Sequence, residues 1–417
     1  MYSYINNQLH CENVDISELS NEIGSPLYCY SSEILTNKYS EIERAFEGKD
    51  LLICYSLKAN SNQSIIKTFS SMGSGADVVS MGELKRALKA GIPNDKIVFS
   101  GVGKSPEEIN FALKNNILMI NVESVAELNK ISELASSLNE TAPISIRINP
   151  DISAGENEKI STGKKQDKFG ISYQDILEVY DLASSLNNIQ IKGIDVHIGS
   201  QINNIEPFEQ TFDCLIEVIE NLKNKDINID IIDIGGGIGV NYTNEQPLEI
   251  KQYAKLIEEK LEPLNKKIII EPGRFLTAES GILVTSVIYI KETSDKNFLI
   301  VDAAMNDFIR PSLYGSIHKI LPIKNHQIGK AENVYDVVGP VCETGDYFVR
   351  DYKTSQIEEG NLLAITYTGA YGSVLSSNYN SRPSIPEVLV KGKKFSIIKN
   401  KENIEEIINQ DSIAEWL

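Results

Sequence analysis

The chain has 417 residues, a formal charge of −18 at pH 7 and a hydrophobic fraction of 41%. That acidity argues against a nucleic-acid or anionic-membrane partner, since both demand basic patches. No apolar run nears the roughly 20 residues a membrane span needs. The length allows two or three domains, although a single barrel absorbs about 250 residues by itself. Cys11, Cys29, Cys54, Cys214 and Cys342 are odd in number and scattered, without a CxxC pair. They fit a reducing cytoplasm better than a disulfide framework or a zinc site. With His10, His197, His318 and His326 as the only histidines, no histidine-rich metal centre is expected. Met1 to Asn7 offers neither a basic start nor a secretory apolar core.

Residues 1–30 alternate short apolar and polar groups and predict strand and turn pieces. A helix follows from Ser32 to Phe46, with Ile34, Leu35, Tyr39, Ile42 and Phe46 on one face. From there a rhythm sets in. Apolar, β-branched runs stand at Leu51–Tyr55, Ala76–Val79, Ile97–Phe99, Leu118–Val122, Ile144–Ile148, Ile191–Ile198, Ile229–Ile234 and Ile268–Ile270. Amphipathic helical segments lie between them, among them Pro106–Leu113, Val125–Leu138 and Phe208–Leu222. Strands buried on both faces and alternating with helices pair in parallel. Eight such units over about 240 residues match a (β/α)8 barrel. A doubly wound open sheet would want a Gly-rich fingerprint after its first strand, and none is there.

After Gly281 the rhythm changes to strand-like runs at Leu283–Tyr289, Asn297–Asp302, Tyr335–Val338, Leu362–Thr366 and Phe395–Ile398. Turns such as Gly339-Pro340 and Lys391-Gly392-Lys393 between them predict antiparallel β structure. The expected fold is α/β plus β: a TIM-like barrel over residues 31–280, and a mostly-β domain built from 281–417 with 1–30 added. The N-terminal piece is assigned there because a lone short β segment cannot bury itself.

In such a barrel the reactive residues sit at the C-terminal strand ends. Those ends read Lys58, Asp77, Ser100-Gly101, Arg147, His197-Ile198-Gly199-Ser200, Gly235-Gly236-Gly237 and Glu271-Pro272-Gly273-Arg274. Lys58, in Tyr55-Ser56-Leu57-Lys58-Ala59-Asn60, closes a buried strand. One reading is a lysine that snorkels to the rim. The other is an amine that gives up its proton and attacks a carbonyl. The triple glycine after the seventh run suits a phosphate loop, although structural tight turns are commoner. A phosphate loop beside a strand-end lysine points to pyridoxal phosphate, whose aldehyde takes a lysine as a Schiff base. Glu271 would then face the ring nitrogen, and His197 would lie flat against the ring.

These motifs, together with Gly75-Ala76-Asp77, Arg310-Pro311-Ser312-Leu313-Tyr314, Cys342-Glu343-Thr344-Gly345-Asp346 and Gly369-Ala370-Tyr371-Gly372, resemble the fold-type III pyridoxal-phosphate decarboxylases. Within them the closest likeness is to the bacterial diaminopimelate decarboxylases, along nearly the whole chain. The resemblance implies Lys58 as the cofactor's anchor, His197 against its ring and Glu271 at its nitrogen. It implies Asp77, Ser200, Gly235, Gly236, Gly237, Gly273, Arg274 and Tyr371 around the cofactor. Arg274, Arg310, Tyr314 and Tyr371 would hold the substrate's far end. Cys342, a proton donor, and Glu343, at the distal amino group, would enter from the partner of a homodimer. The segment Lys159 to Lys164, with Lys168-Phe169-Gly170, resembles that subfamily's lid over residues 153–170. The implied reaction turns meso-2,6-diaminopimelate into L-lysine in the cytoplasm. A carboxynorspermidine, ornithine or arginine decarboxylase, a barrel racemase, and a non-catalytic cofactor-binding regulator are the other readings. Glu271 argues against the racemase, because such enzymes usually carry arginine at the ring nitrogen, and the retained Lys58 and Cys342 argue against the regulator.

Overall fold

The computed structural model describes residues 1–154, 162–242, 246–325, 333–354 and 357–417. It divides into two compact units. One comprises Lys38–Asn241 and Gln246–Leu276, the other Met1–Asn37, Tyr242–Glu245 and Thr277–Leu417.

The first unit is a closed, eight-stranded parallel barrel. Its strands are Leu51–Ser56, Gly75–Val78, Ile97–Phe99, Met119–Val122, Ala142–Asn149, Ile189–Val196, Ile231–Asp233 and Lys267–Ile270. Each pairs in parallel with the next, and the eighth closes on the first with Ile268 opposite Leu51. The eight sequence runs are these eight strands, shifted by a residue or two at their ends. Leu52, Cys54, Val98, Met119, Ile231 and Ile269 pack together as one apolar cluster inside the barrel strands.

The intervening helices start and stop where local chemistry tells them to. Pro106–Lys114 opens with a complete capping box, Ser105 and Glu108 exchanging hydrogen bonds, and carries Pro at its first turn. Val125–Leu138 is capped by Ser124 and ends at Asn139 in the left-handed region, φ 55°. Its Leu128, Ile131 and Ala135 are buried at helical spacing.

The second unit is built on a large, mainly antiparallel sheet. Strand Leu27–Ser31 lies in its middle, antiparallel to Gly281–Glu292 on one side and parallel to Glu387–Lys391 on the other. The N-terminal residues therefore do join the C-terminal β structure. Leu27, Cys29, Ile282, Val284, Val388 and Val390 form its core with Leu9, Ile16 and Leu19. One expectation for residues 1–30 fails: Ile16–Ile23 is a helix. Asp15 caps it through Ser17 and Glu18, and Gly24, φ 94°, ends it. Three strands absent from the sequence reading, Ile320–Pro322, Tyr347–Thr354 and Glu387–Lys391, complete the sheet. Among the described residues no helix is long and apolar enough to cross a membrane.

Ile269 is fully buried within the barrel cluster. Ile269→Ala should lower the unfolding free energy by about 2–5 kcal/mol in urea titrations, the cost of a core truncation plus its cavity. A loss within experimental error of zero would contradict this packing.

Candidate active site

The first barrel strand ends at Ser56, and the chain then tightens into a 3-10 turn over Leu57–Ala59. That turn brings Lys58 Nζ to 3.4 Å from Asp77 Oδ2, at the end of the second strand. Ser56 Oγ donates to the same oxygen at 2.5 Å. Asp77 is buried, and its Oδ1 has no hydrogen-bond partner among the described residues. The lysine is thus tethered by one buried carboxylate while its side chain stays about one-third exposed, at 35%.

Behind it lies a set of buried acids. One carboxylate oxygen from each of Asp195, Asp233 and Glu271 lies within 4.8 Å of the other two. Burial first, then mutual repulsion, pushes Glu271 and Asp195 well above the ordinary carboxyl range. The same causes push Asp233 up to about 7, against the hydrogen bond it accepts from Gly235. Carboxyls in this state hold protons near neutrality. Ser100 Oγ donates to Glu271 Oε1 at 3.5 Å.

His197, just past the sixth strand, accepts a hydrogen bond at Nδ1 from the Gly236 N–H, 3.2 Å away. That contact fixes the tautomer with its proton on Nε2. Burial, together with the Lys58 and Arg147 charges, holds the imidazole well below its usual range, so it is neutral. Arg147 pairs with Glu123 at 2.7 Å and donates to the His197 carbonyl at 3.2 Å. Thr162 Oγ1 donates to that same carbonyl at 2.7 Å.

The glycine bend has the geometry its composition promises. Gly235 and Gly237 have φ of 62° and 106°, values that disfavour side chains. A Cβ at Gly236 would run into the Glu271 carbonyl oxygen. Its N–H groups are less free than the sequence implies, since Gly235 donates to Asp233 Oδ1 at 3.0 Å and Gly236 to His197. Arg274 is buried, its Nη2 3.0 Å from Ser200 Oγ.

The remaining sequence-predicted residues belong to the sheet unit. Arg310, buried in the short helix Arg310–Tyr314, has its guanidinium carbon 5.5, 5.6 and 6.0 Å from the ring centres of Tyr242, Tyr314 and Tyr371. Cys342 is exposed and its N–H donates to Asn380 Oδ1 at 3.1 Å. Glu343 Oε1 accepts from Tyr379 OH at 2.6 Å. Of the expected lid, residues 155–161 lie outside the described residues. At its far end Gly170 N–H donates to Glu123 Oε2 at 2.8 Å.

Sequence reading missed a second polar layer inside the barrel. Ser145 Oγ donates to Asn121 Oδ1 at 2.7 Å, and Asn121 Nδ2 reaches Ser100 Oγ at 3.1 Å and Asp233 Oδ2 at 3.5 Å. The signal was there: Ile120-Asn121-Val122, Ile144-Ser145-Ile146, Ile194-Asp195-Val196 and Ile232-Asp233-Ile234 each set one polar residue among β-branched neighbours. Tyr379 and Asn380, behind Glu343 and Cys342, carried no such mark.

Pyridoxal phosphate fits this set of donors. A side-chain-free backbone approach at Gly236, a buried guanidinium with a hydroxyl at Arg274 and Ser200, and an amine at Lys58 suit an anionic tail and an aldehyde. A carboxyl embedded among other acids, Glu271, suits a basic ring nitrogen.

Known proteins resemble the chain in sequence and fold. The family described as "Pyridoxal-dependent decarboxylase, pyridoxal binding domain" matches residues 33–278. A Vibrio cholerae protein named diaminopimelate decarboxylase is 44% identical over 407 residues, covering 97% of each chain. The structure of diaminopimelate decarboxylase from Helicobacter pylori complexed with L-lysine is 43% identical with a TM-score of 0.92, covering 95% of this chain and 99% of that one. The M. jannaschii enzyme in co-complex with L-lysine is 34% identical with a TM-score of 0.95, covering 100% and 99%.

The His197 environment makes a spectroscopic prediction. In protein carrying 15N-labelled histidine, the His197 ring signals should keep the neutral, Nε2-protonated pattern as pH falls through 6.5 to about 5.5. An ordinary titration centred near 6.5 would contradict the environment described.

Proposed function

The chain belongs to the pyridoxal-dependent decarboxylase family, and from that premise we propose that it decarboxylates meso-2,6-diaminopimelate at the D-configured centre, giving L-lysine and carbon dioxide. Bound pyridoxal 5′-phosphate supplies the electron sink for the pair that the departing carboxylate leaves behind. Lys58 Nζ holds the aldehyde carbon, and Asp77 orients that nitrogen from 3.4 Å. Glu271 presents its carboxyl to the ring nitrogen, in a buried setting where a proton shared between the two is strongly held. Neutral His197 packs against the ring without adding a charge that would oppose the pyridinium. Ser200, Arg274, Gly273 and the Gly235–Gly237 bend hold the phosphate, with Tyr371 closing the set.

The observation that carries the substrate reading is Arg310. A buried guanidinium walled by Tyr242, Tyr314 and Tyr371 is built to take a carboxylate in a planar fork. Diaminopimelate has such a group at its far end, whereas ornithine and arginine end in cations. Glu343 takes the distal amino group, its carboxylate aimed by Tyr379. Cys342 Sγ returns a proton to the carbon that lost the carboxylate. Cys342 and Glu343 act in the site of a second copy, which makes the homodimer the working unit, and the five free cysteines suit the reducing cytoplasm in which it works.

The test is turnover by the cofactor-loaded protein with meso-diaminopimelate, carboxynorspermidine, ornithine and arginine in parallel, reading amine products by chromatography. Lysine from the first, at least a hundredfold faster than product from the others, is the expected result on the order set by a charge-matched site. Preference for carboxynorspermidine would overturn the substrate reading. Arg310→Ala should lower kcat/KM for diaminopimelate on the order of a hundredfold, mainly through KM.

A further inference from the structure

We infer that Asp233 is a positioning residue for the cofactor, one side chain that ties the glycine bend to the carboxyl of Glu271. The inference rests on the reading of the bend and Glu271 as cofactor contacts. Asp233 is the last residue of the seventh barrel strand and is fully buried. Its Oδ1 accepts the Gly235 N–H at 3.0 Å, which sets the start of the bend. Its carboxyl shares the 4.8 Å cluster with Glu271 and Asp195. Its Oδ2 faces the Asn121 amide at 3.5 Å, and Asn121 is itself pinned by Ser145 at 2.7 Å. The carboxyl is therefore steadied by Asn121, itself pinned by Ser145, and what it holds in turn is the bend and the acid.

The chemistry at that carboxyl follows from its neighbours. Asp77, Asp195 and Glu271 all press on it or on one another in a buried space. A proton between Asp233 and Glu271 removes that repulsion and makes a hydrogen bond of it. One proton shared by the two carboxyls leaves the pair a single negative charge to offer the ring nitrogen. An asparagine keeps these two contacts, its Oδ1 accepting from Gly235 and its Nδ2 donating to Glu271, and gives up only the long 3.5 Å contact from the Asn121 amide. An alanine keeps neither, and leaves the Gly235 N–H buried without an acceptor.

Asp233→Asn and Asp233→Ala, beside wild type and Gly236→Ala, separate this from a general folding role. The readouts are the pyridoxal phosphate dissociation constant by absorbance titration, the visible spectrum of the loaded protein, and circular dichroism. Asp233→Ala should bind the cofactor at least about tenfold more weakly, the size expected for an orphaned buried donor. Asp233→Asn should stay within about threefold of wild type and keep its spectrum, as expected when both hydrogen bonds survive. Equal weakening in both variants overturns the inference, as does an alanine variant that binds like wild type. Should the alanine variant fail to fold, a tenfold loss in the asparagine variant alone overturns it, and wild-type-like binding there supports it. Gly236→Ala tests the underlying reading by itself: unchanged affinity there means the bend does not hold the cofactor, whatever Asp233 does.

Discussion

Charge crowding in a closed barrel governs this molecule. Asp77, Glu123, Asp195, Asp233 and Glu271 are buried at the C-terminal ends of the strands, facing the cations Lys58 and Arg147. Isolated buried carboxylates cost far more than folding can supply, so such a group is tolerated only when it is paired, hydrogen-bonded or protonated. Each solution is used. Glu123 is paired with Arg147, Asp77 is bonded to Ser56 and Lys58, and Asp233 and Glu271 are left to share protons. The result is a site whose protonation is set by its surroundings before any ligand arrives. A cofactor that needs a cationic ring nitrogen and a nearby amine meets both requirements ready-made.

The fold serves that site by keeping its layers apart. Below the acids, Leu52, Cys54, Val98, Met119, Ile231 and Ile269 make a dry apolar plug. Beside the acids, Ser100, Asn121 and Ser145 form a hydrogen-bonded set. Such a set fixes geometry because every partner is satisfied. In the sheet unit the same logic appears with opposite sign: Arg310 is buried and its planar cation is walled by tyrosine rings.

Much of this was legible in the residues because period and chemistry coincide. Eight β-branched runs could only be parallel strands, and the polar residues closing them, Lys58 and Glu271 among them, could only gather at one rim. The interior polar layer left only a faint mark, one polar residue in each of several isoleucine-rich runs, which carries weight once the barrel turns it inward. The helix Ile16–Ile23 was hidden for another reason. Its Asp15 cap and Glu18 form a start signal, but the short segment sits among strands that set the expectation. Nor could glycine composition reveal that His197 and Asp233 would take two of the bend's N–H groups.

The central claim is that Lys58, held by Asp77, carries the cofactor covalently through its side-chain nitrogen. Borohydride treatment of the cofactor-loaded protein, followed by proteolysis and mass spectrometry, tests it most directly. The reduced cofactor should appear on the peptide spanning Tyr55–Asn60 at Lys58, and the Lys58→Ala protein should yield no modified peptide. Label on another lysine, or label of the same amount in the variant, would contradict the account.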